Sequence, residues 1–366
     1  MRKIKVLQPS DYSFDRIIEA KAQGKEAFIV SLFGYEYLSQ EKELDITVIY
    51  PDRNKRITKI LTKLFKLEGR NFLLQLKTIK LSSKFDVVYY ATDRHPYLIA
   101  LARLFGFCKC PILMVSHFTY NPRTVKSIAK RLILRIERFF VYRGIDRIVF
   151  ASQNVLDLAK EKCKIPKRHW TNAGWGADLD YFSKEEKFKK PFEDYYFAAG
   201  SANRDYHTLI EAFRQMPDKY LIISISPANL KNEYPLPENV KVFDYTKYGI
   251  DVYVHLRDLY QDSLAVLIPV MKENHVPNGA SVLVEALACG KAIFATDLPS
   301  NFIEIEKERI GKVAQIHDAK DWIRIINDTT YYDLKCMGEK ARMIAETRYN
   351  YKLFANNIIK YIKEIV

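Results

Sequence analysis

No stretch of the chain approaches the roughly 20 consecutive apolar residues that a membrane-spanning helix needs, although 48% of its 366 residues are hydrophobic. Glycine and proline are scarce, at 13 and 14 residues, and no low-complexity or repeated segment is visible, which argues against disorder and against fibrous folds. The five cysteines (Cys108, Cys110, Cys163, Cys289 and Cys336) are odd in number and scattered. Cys108 and Cys110 lack a second pair at zinc spacing, so the expectation is reduced thiols in a cytosolic protein. The opening Met1-Arg2-Lys3-Ile4-Lys5-Val6-Leu7 is too short an apolar run for a signal peptide and reads as a first strand.

A chain of this length exceeds what one compact core usually supports, so two α/β domains are expected. The net charge of +14 is unevenly spread: residues 1–190 carry +17 and residues 191–366 carry −3. A strongly basic half joined to a near-neutral one implies different partners for the two halves.

Short runs rich in Val, Ile, Leu and Tyr alternate with helical stretches, the pattern of a parallel, doubly wound sheet. In the first half, strands are predicted at Lys3–Leu7, Ala27–Leu32, Ile46–Tyr50, Val87–Tyr90, Ile112–Ser116 and Arg147–Ala151. A second series follows at Tyr195–Ala199, Leu221–Ile225, Val240–Phe243, Ala265–Pro269, Ala292–Ala295 and Lys312–Gln315, and the chain closes with helices at Tyr332–Thr347 and Tyr351–Ile365. The fold class is α/β, two Rossmann-like doubly wound domains facing a cleft. An N-terminal domain is placed at 1–183, a charged linker at 184–194 and a C-terminal domain at 195–348. A helix at 349–366 is expected to pack back on the first domain. Ligands of such folds sit at the carboxyl ends of the strands, so chemistry is sought in the loops that follow them.

The most informative loop is Asn278-Gly279-Ala280-Ser281-Val282-Leu283-Val284-Glu285, after the strand ending at Pro269. Asn278 suits an N-cap, and Gly279 lets backbone come close to a ligand. The next amides point out of the helix start, where the dipole favours an anion such as a diphosphate. Ser281 and Glu285 are four apart and share a helix face, so a diphosphate at the start would lie near Ser281. A ribose would then reach Glu285, whose carboxylate can accept two hydroxyl hydrogen bonds. Gly290 suits the C′ position that ends the helix. On this pattern alone, a donor site and an ordinary capped helix with a solvated Glu are evenly matched.

The run Glu285-Ala286-Leu287-Ala288-Cys289-Gly290-Lys291-Ala292-Ile293 closely resembles the donor-site signature of retaining family 4 glycosyltransferases and their relatives of the GT-B fold. Gly200-Ser201-Ala202-Asn203-Arg204-Asp205-Tyr206-His207 looks like the loop that opens the C-terminal domain there. Gly176-Ala177-Asp178-Leu179-Asp180-Tyr181-Phe182 and Met337-Gly338-Glu339-Lys340-Ala341-Arg342 extend the similarity over about residues 147–366. The resemblance implies that Arg204, with Gly200 and Ser201, meets the donor diphosphate. It also implies that the amides from Gly279 to Val282 hold the diphosphate and part of the sugar, and that Glu285 binds the ribose. The family's usual second Glu, eight residues earlier, is here Pro277, with Glu273 and Asn278 as its nearest substitutes. The co-substrate is expected to be a UDP- or GDP-linked sugar. No metal is expected, because the helix start and Arg204 can do the work of an ion.

The N-terminal half resembles the family less. Gln8-Pro9-Ser10-Asp11-Tyr12 replaces the glycine-rich turn usual after the first strand. His117 follows a strand where relatives often carry a histidine near the reaction centre; a catalytic and a structural role are evenly matched. Asp11 and Asp93 also follow strands and are candidate acceptor contacts, or helix caps. Residues 53–84 and 126–143 interleave Lys and Arg with apolar residues, which suits an anionic membrane surface.

The reading is therefore a peripheral glycosyltransferase at the cytoplasmic membrane face, acting on a lipid-linked or polyanionic glycan. A sugar-nucleotide epimerase and a non-catalytic membrane or nucleic-acid binding protein are the alternatives. No nucleic acid is expected, since no module that reads it is visible.

Overall fold

The computed structural model describes residues 2–11, 13–23, 29–51, 57, 60, 69–91, 96–116, 128–162, 170–184, 191–233, 235–248, 252–272 and 277–366. They form two compact units. The first comprises Met1–Gln23, Ser31–Gly174 and Lys352–Val366, and the second Gly24–Val30 and Trp175–Tyr351.

In the first unit, β1 (Ile4–Pro9), β2 (Leu44–Ile49), β3 (Val87–Tyr90), β4 (Ile112–Ser116), β5 (Arg147–Phe150) and β6 (Trp170–Asn172) form one sheet ordered β2-β1-β3-β4-β5-β6. Every pairing in it is parallel. Helices cover a parallel sheet, so its strands are apolar end to end rather than alternating: all four residues of β3 and all five of β4 are buried. The helices Gly69–Leu81, Tyr97–Leu104 and Ile128–Gly144 belong to successive right-handed crossovers and pack side by side in one layer. The final helix, Tyr351–Ile365, is tied to this unit by hydrogen bonds from Asn357 to the Ala173 carbonyl (3.0 Å) and from the Tyr361 hydroxyl to the Asn172 carbonyl (2.9 Å), and by ion pairs of Lys363 with Glu43 and of Glu364 with Arg147.

The second unit repeats the plan with β7 (Tyr196–Ala199), β8 (Leu221–Ser224), β9 (Val240–Phe243), β10 (Ala265–Ile268), β11 (Ala292–Thr296) and β12 (Gly311–Ala314). Their order, β12-β11-β10-β7-β8-β9, reverses direction between β7 and β10. Leu209, Ile210 and Phe213 of the helix Tyr206–Arg214 pack with Trp322 over one face of this sheet. The reversal leaves a crevice at the carboxyl ends of β7 and β10, the place where such sheets bind ligands.

Two sequence expectations need correction. A strand at Ala27–Leu32 is not formed: Ile29–Leu32 is a 3-10 turn, and residues 27 and 28 lie outside the described residues. The apolar run is real, but Phe33 and Gly34 turn the chain away with φ of 50° and 87° before it can pair. The short strand β6 escaped notice because three residues carry too little periodicity.

The helix Ala280–Ala288 is anchored at its carboxyl end by a close glycine contact. Gly290 adopts φ of 63°, and the Gly290 carbonyl sits so near Gly338 of the helix Tyr331–Arg348 that a Cβ on Gly338 would lie 2.2 Å from that oxygen. Gly338→Ala should therefore cost about 1–3 kcal/mol through forced displacement. Thermal denaturation should show a melting temperature several degrees lower; an unchanged value would mean that the two helices are not held at this contact.

Candidate functional site

The loop after β7 is shaped by two left-handed residues, Gly200 at φ of 95° and Asn203 at φ of 55°. It is stitched to the chain leaving β10 by Asp205 N–H to the Pro269 carbonyl (3.1 Å), by Met271 N–H to the Asn203 carbonyl (3.0 Å) and by a bridge between Arg204 and Val270. These bonds fix Arg204 at the switch point. The residue is only 9% exposed, and its guanidinium donates to the carbonyls of Ala199 (Nε, 3.1 Å) and Ala202 (Nη1, 2.9 Å). Burial pulls the Arg204 pKa down from its ordinary value, yet arginine remains a cation.

Nη2, the third guanidinium nitrogen, lies against both glycines of the site. A Cβ on Gly200 would come within 2.8 Å of it and one on Gly279 within 3.4 Å, while the latter would also press 2.5 Å from Cγ2 of Ile268. Any side chain here would displace the cation or the helix, and φ of 86° at Gly279 also favours glycine. The helix Ala280–Ala288 starts at this point with Gly279 itself as N-cap and no side-chain cap. This corrects the expectation that Asn278 caps the helix. Its first intrahelical bond from outside runs from Leu283 N–H to the Gly279 carbonyl (2.9 Å), so the amides of Ala280, Ser281 and Val282 have no acceptor within the helix. Three backbone donors, a helix dipole and a buried cation converge, an arrangement suited to an anion.

Glu285 projects one turn along, four residues after the exposed Ser281. The Glu285 residue keeps partial solvent contact, but burial of its carboxyl group raises its pKa to about 7, against a hydrogen bond from Tyr260 that acts the other way. Tyr260, on the helix Val252–Asp262, is fully buried and packed edge-on to Phe197 (4.8 Å between centroids); its hydroxyl donates to Glu285. This tyrosine was not singled out from the sequence, and no local signal would have found it, because the contact spans 25 residues and two helices. His317 was likewise missed: at φ of 56°, it places Nδ1 2.6 Å from Asp205 Oδ2, and Asp205 caps the helix Tyr206–Arg214 through Thr208 N–H.

Thus Gly200, Arg204, Gly279, Ala280, Ser281, Val282 and Glu285 belong to one site in the second unit, with Ser201 exposed on the β7 loop and Asn278 just before the helix. Asp11 lies half-buried at the carboxyl end of β1, where the order of the first sheet also reverses. His117, Asp93 and Glu273 lie outside the described residues. Asp178-Leu179-Asp180 has the spelling of an Asp-x-Asp metal motif, but Asp178 is the N-cap of the short helix Leu179–Phe182, accepting from the amides of Asp180 and Tyr181.

The raised pKa of Glu285 makes stability depend on pH. The folded chain retains a proton there that an unfolded chain releases near pH 4.5, so stability from this group falls as pH rises from about 4.5 to 7 and then levels off. Glu285→Gln should remove that slope. In melting curves the variant should gain on the wild type as pH is raised from about 4.5 to about 7, with the gap constant above that; parallel curves would show that Glu285 ionises as freely as an exposed carboxylate.

Comparison with known proteins bears on the fold. Residues 19–180 match the family model described as Glycosyltransferase Family 4. That match falls mainly in the first unit, the half whose motifs carry the weaker resemblance. No curated protein matches the sequence. Among solved structures, HepE from Anabaena in complex with UDP and glucose superposes with a TM-score of 0.65 at 14% identity, over 99% of this chain and 100% of that one. Sucrose-phosphate synthase from Thermosynechococcus elongatus gives 0.67 at 14%, over 99% of each chain. A putative UDP-N-acetylglucosamine 2-epimerase from Listeria monocytogenes gives 0.59 at 14%, over 100% of this chain and 96% of that one. The two parallel six-stranded units have the GT-B fold of these structures, and the family-model match is confined to residues 19–180.

Proposed function

We propose that the protein is a retaining glycosyltransferase that takes its sugar from a nucleoside diphosphate donor held by the second unit. The observation that carries this reading is the Nη2 of Arg204 lying between Gly200 and Gly279, at a helix start whose amides have no side-chain cap. The donor diphosphate occupies that point, with Arg204 and the amides of Ala280 to Val282 taking the charge that builds up as the glycosidic bond breaks. These donors are fixed before the reaction begins, which is what makes such stabilisation effective. Glu285 receives the ribose hydroxyls, its carboxyl oriented by Tyr260. The sugar keeps its anomeric configuration, and the departing phosphate accepts the acceptor's proton on the same face. Because HepE is described in complex with UDP, a UDP-linked sugar is the first donor to test and a GDP-linked one the second.

The acceptor in this reading is a lipid-linked or polyanionic glycan at the cytoplasmic membrane face. It is met by the basic first unit, with Asp11, Asp93 and His117 as its candidate contacts. The net charge of +17 over residues 1–190 supports an anionic partner there. An epimerase is the second reading, since a protein described as one shares the fold. It would convert a nucleotide sugar with no acceptor present.

A thermal-shift comparison of UDP, GDP, ADP and CMP tests the donor site. A nucleotide at 100 times its dissociation constant should stabilise the chain by about 2.7 kcal/mol. One nucleotide should raise the melting temperature, and Arg204→Ala and Glu285→Ala should each abolish the rise. If no nucleotide stabilises the chain, the transferase and epimerase readings both fall.

A further inference from the structure

A soluble helix lying on a sheet should turn polar residues outward, but the helix Ile128–Gly144 turns a row of apolar ones outward as well. Ile128, Leu132, Ile136 and Phe139 follow one another at spacings of four, four and three. Their side chains are exposed, at 79%, 58% and 51% for the first three. The opposite side of the helix is used for packing: Val141 and Tyr142 are buried, and a Cβ on Gly144 would lie 2.1 Å from the Ala100 carbonyl of the neighbouring helix Tyr97–Leu104. That neighbour ends in a turn bearing Phe105 and Phe107, exposed at 70% and 74%. The stripe and the turn therefore lie on adjacent elements of one helix layer in the first unit.

The charge around them identifies the partner. Residues 97–144 contain nine Lys and Arg and a single acidic residue, Glu137. On the stripe itself, Arg135 and Arg143 are exposed, and the guanidinium carbon of Arg143 stands 4.2 Å above the ring of Phe139. Apolar side chains with cations beside them match the boundary between acyl chains and anionic headgroups, where an arginine keeps its charge at the headgroup and its stem in contact with the apolar surface. A second copy of the chain fits poorly, because a two-fold contact would set the same cationic patch against itself.

We propose that the outer face of the helix Ile128–Gly144, together with the turn bearing Phe105 and Phe107, inserts shallowly into an anionic lipid bilayer. The chain is then held by apolar burial as well as by charge. This gives a physical form to the membrane-facing part of the proposed function and rests on that part alone. Nucleotide binding is independent of it.

Flotation with vesicles tests the contact, using phosphatidylcholine alone and an equimolar mixture with phosphatidylglycerol. The wild type should bind the anionic vesicles and keep part of that binding in high salt, where a purely electrostatic contact is lost. Leu132→Ser/Ile136→Ser and Phe105→Ser/Phe107→Ser should each weaken binding on the order of a hundredfold. Both double variants should retain the wild-type melting temperature and nucleotide shift, which separates lost insertion from lost folding and from failure of the donor site. Three results overturn the proposal: absence of binding to either vesicle, binding that vanishes in salt and ignores both double variants, or a dimer in sedimentation that the variants convert to monomer.

Discussion

The arrangement of the second unit turns on one buried cation whose hydrogen-bond partners are neutral, the carbonyls of Ala199 and Ala202 and the side chain of Tyr206. Arg204 is buried, and its Nε and Nη1 spend their protons on Ala199 and Ala202. Withdrawing a cation from water costs several kcal/mol, and neutral carbonyls return part of that. The adjoining helix begins with the same kind of deficit, since Gly279 supplies no side-chain acceptor to its first amides. Both deficits have one sign and lie beside one pair of glycines, so a single anion relieves them together. Glu285 does not neutralise this field by itself. With its pKa raised to about 7, a substantial fraction of the carboxyl is uncharged near neutral pH.

Such a field is useful only if its donors stay put, and the topology sees to that. The reversal between β7 and β10 places two loops side by side, and the backbone bonds joining Asp205 to Pro269 and Met271 to Asn203 remove their freedom. At the far end of the helix Ala280–Ala288, Gly290 and Gly338 allow the helix Tyr331–Arg348 to press against it, and Arg342 donates to the Ala288 carbonyl. The amides at the helix start are therefore fixed from both ends. Left-handed Asn203 follows β7 and left-handed His317 follows β12, and the two loops meet where His317 Nδ1 reaches Asp205, local strain collecting beside the site.

How much of this was legible in the sequence depended on how local each signal is. Gly279, Ser281, Glu285 and Gly290 announce a glycine-opened, glycine-closed helix within 12 residues, and all four fall where that reading put them. The cap was assigned to Asn278 because propensity favours Asn there, but the left-handed turn moves the cap one residue on. Tyr260 is illegible because its contact with Glu285 exists only when the helix Val252–Asp262 packs beside the helix Ala280–Ala288. The parallel sheets were readable from continuous apolar runs. Ala27–Leu32 shows the limit of that rule, since a run turned aside by Phe33 and Gly34 has no strand to pair with.

The two units solve opposite electrostatic problems. The second carries its essential positive charge inside, as one arginine at a strand end, and its sequence is close to neutral overall. The first carries its positive charge across its sequence, at +17 over residues 1–190, and shows apolar side chains beside the cations. A buried cation discriminates by geometry, because only a group that reaches both Nη2 and the helix amides recovers the desolvation cost. A dispersed basic layer cannot discriminate in that way; it gathers whatever is anionic and extended, and its attraction is screened by salt. Small-ligand selectivity in this chain is therefore to be sought at Arg204 and Glu285. The exposed Ile, Leu and Phe side chains are what can turn a screened, general attraction in the first unit into a lasting contact.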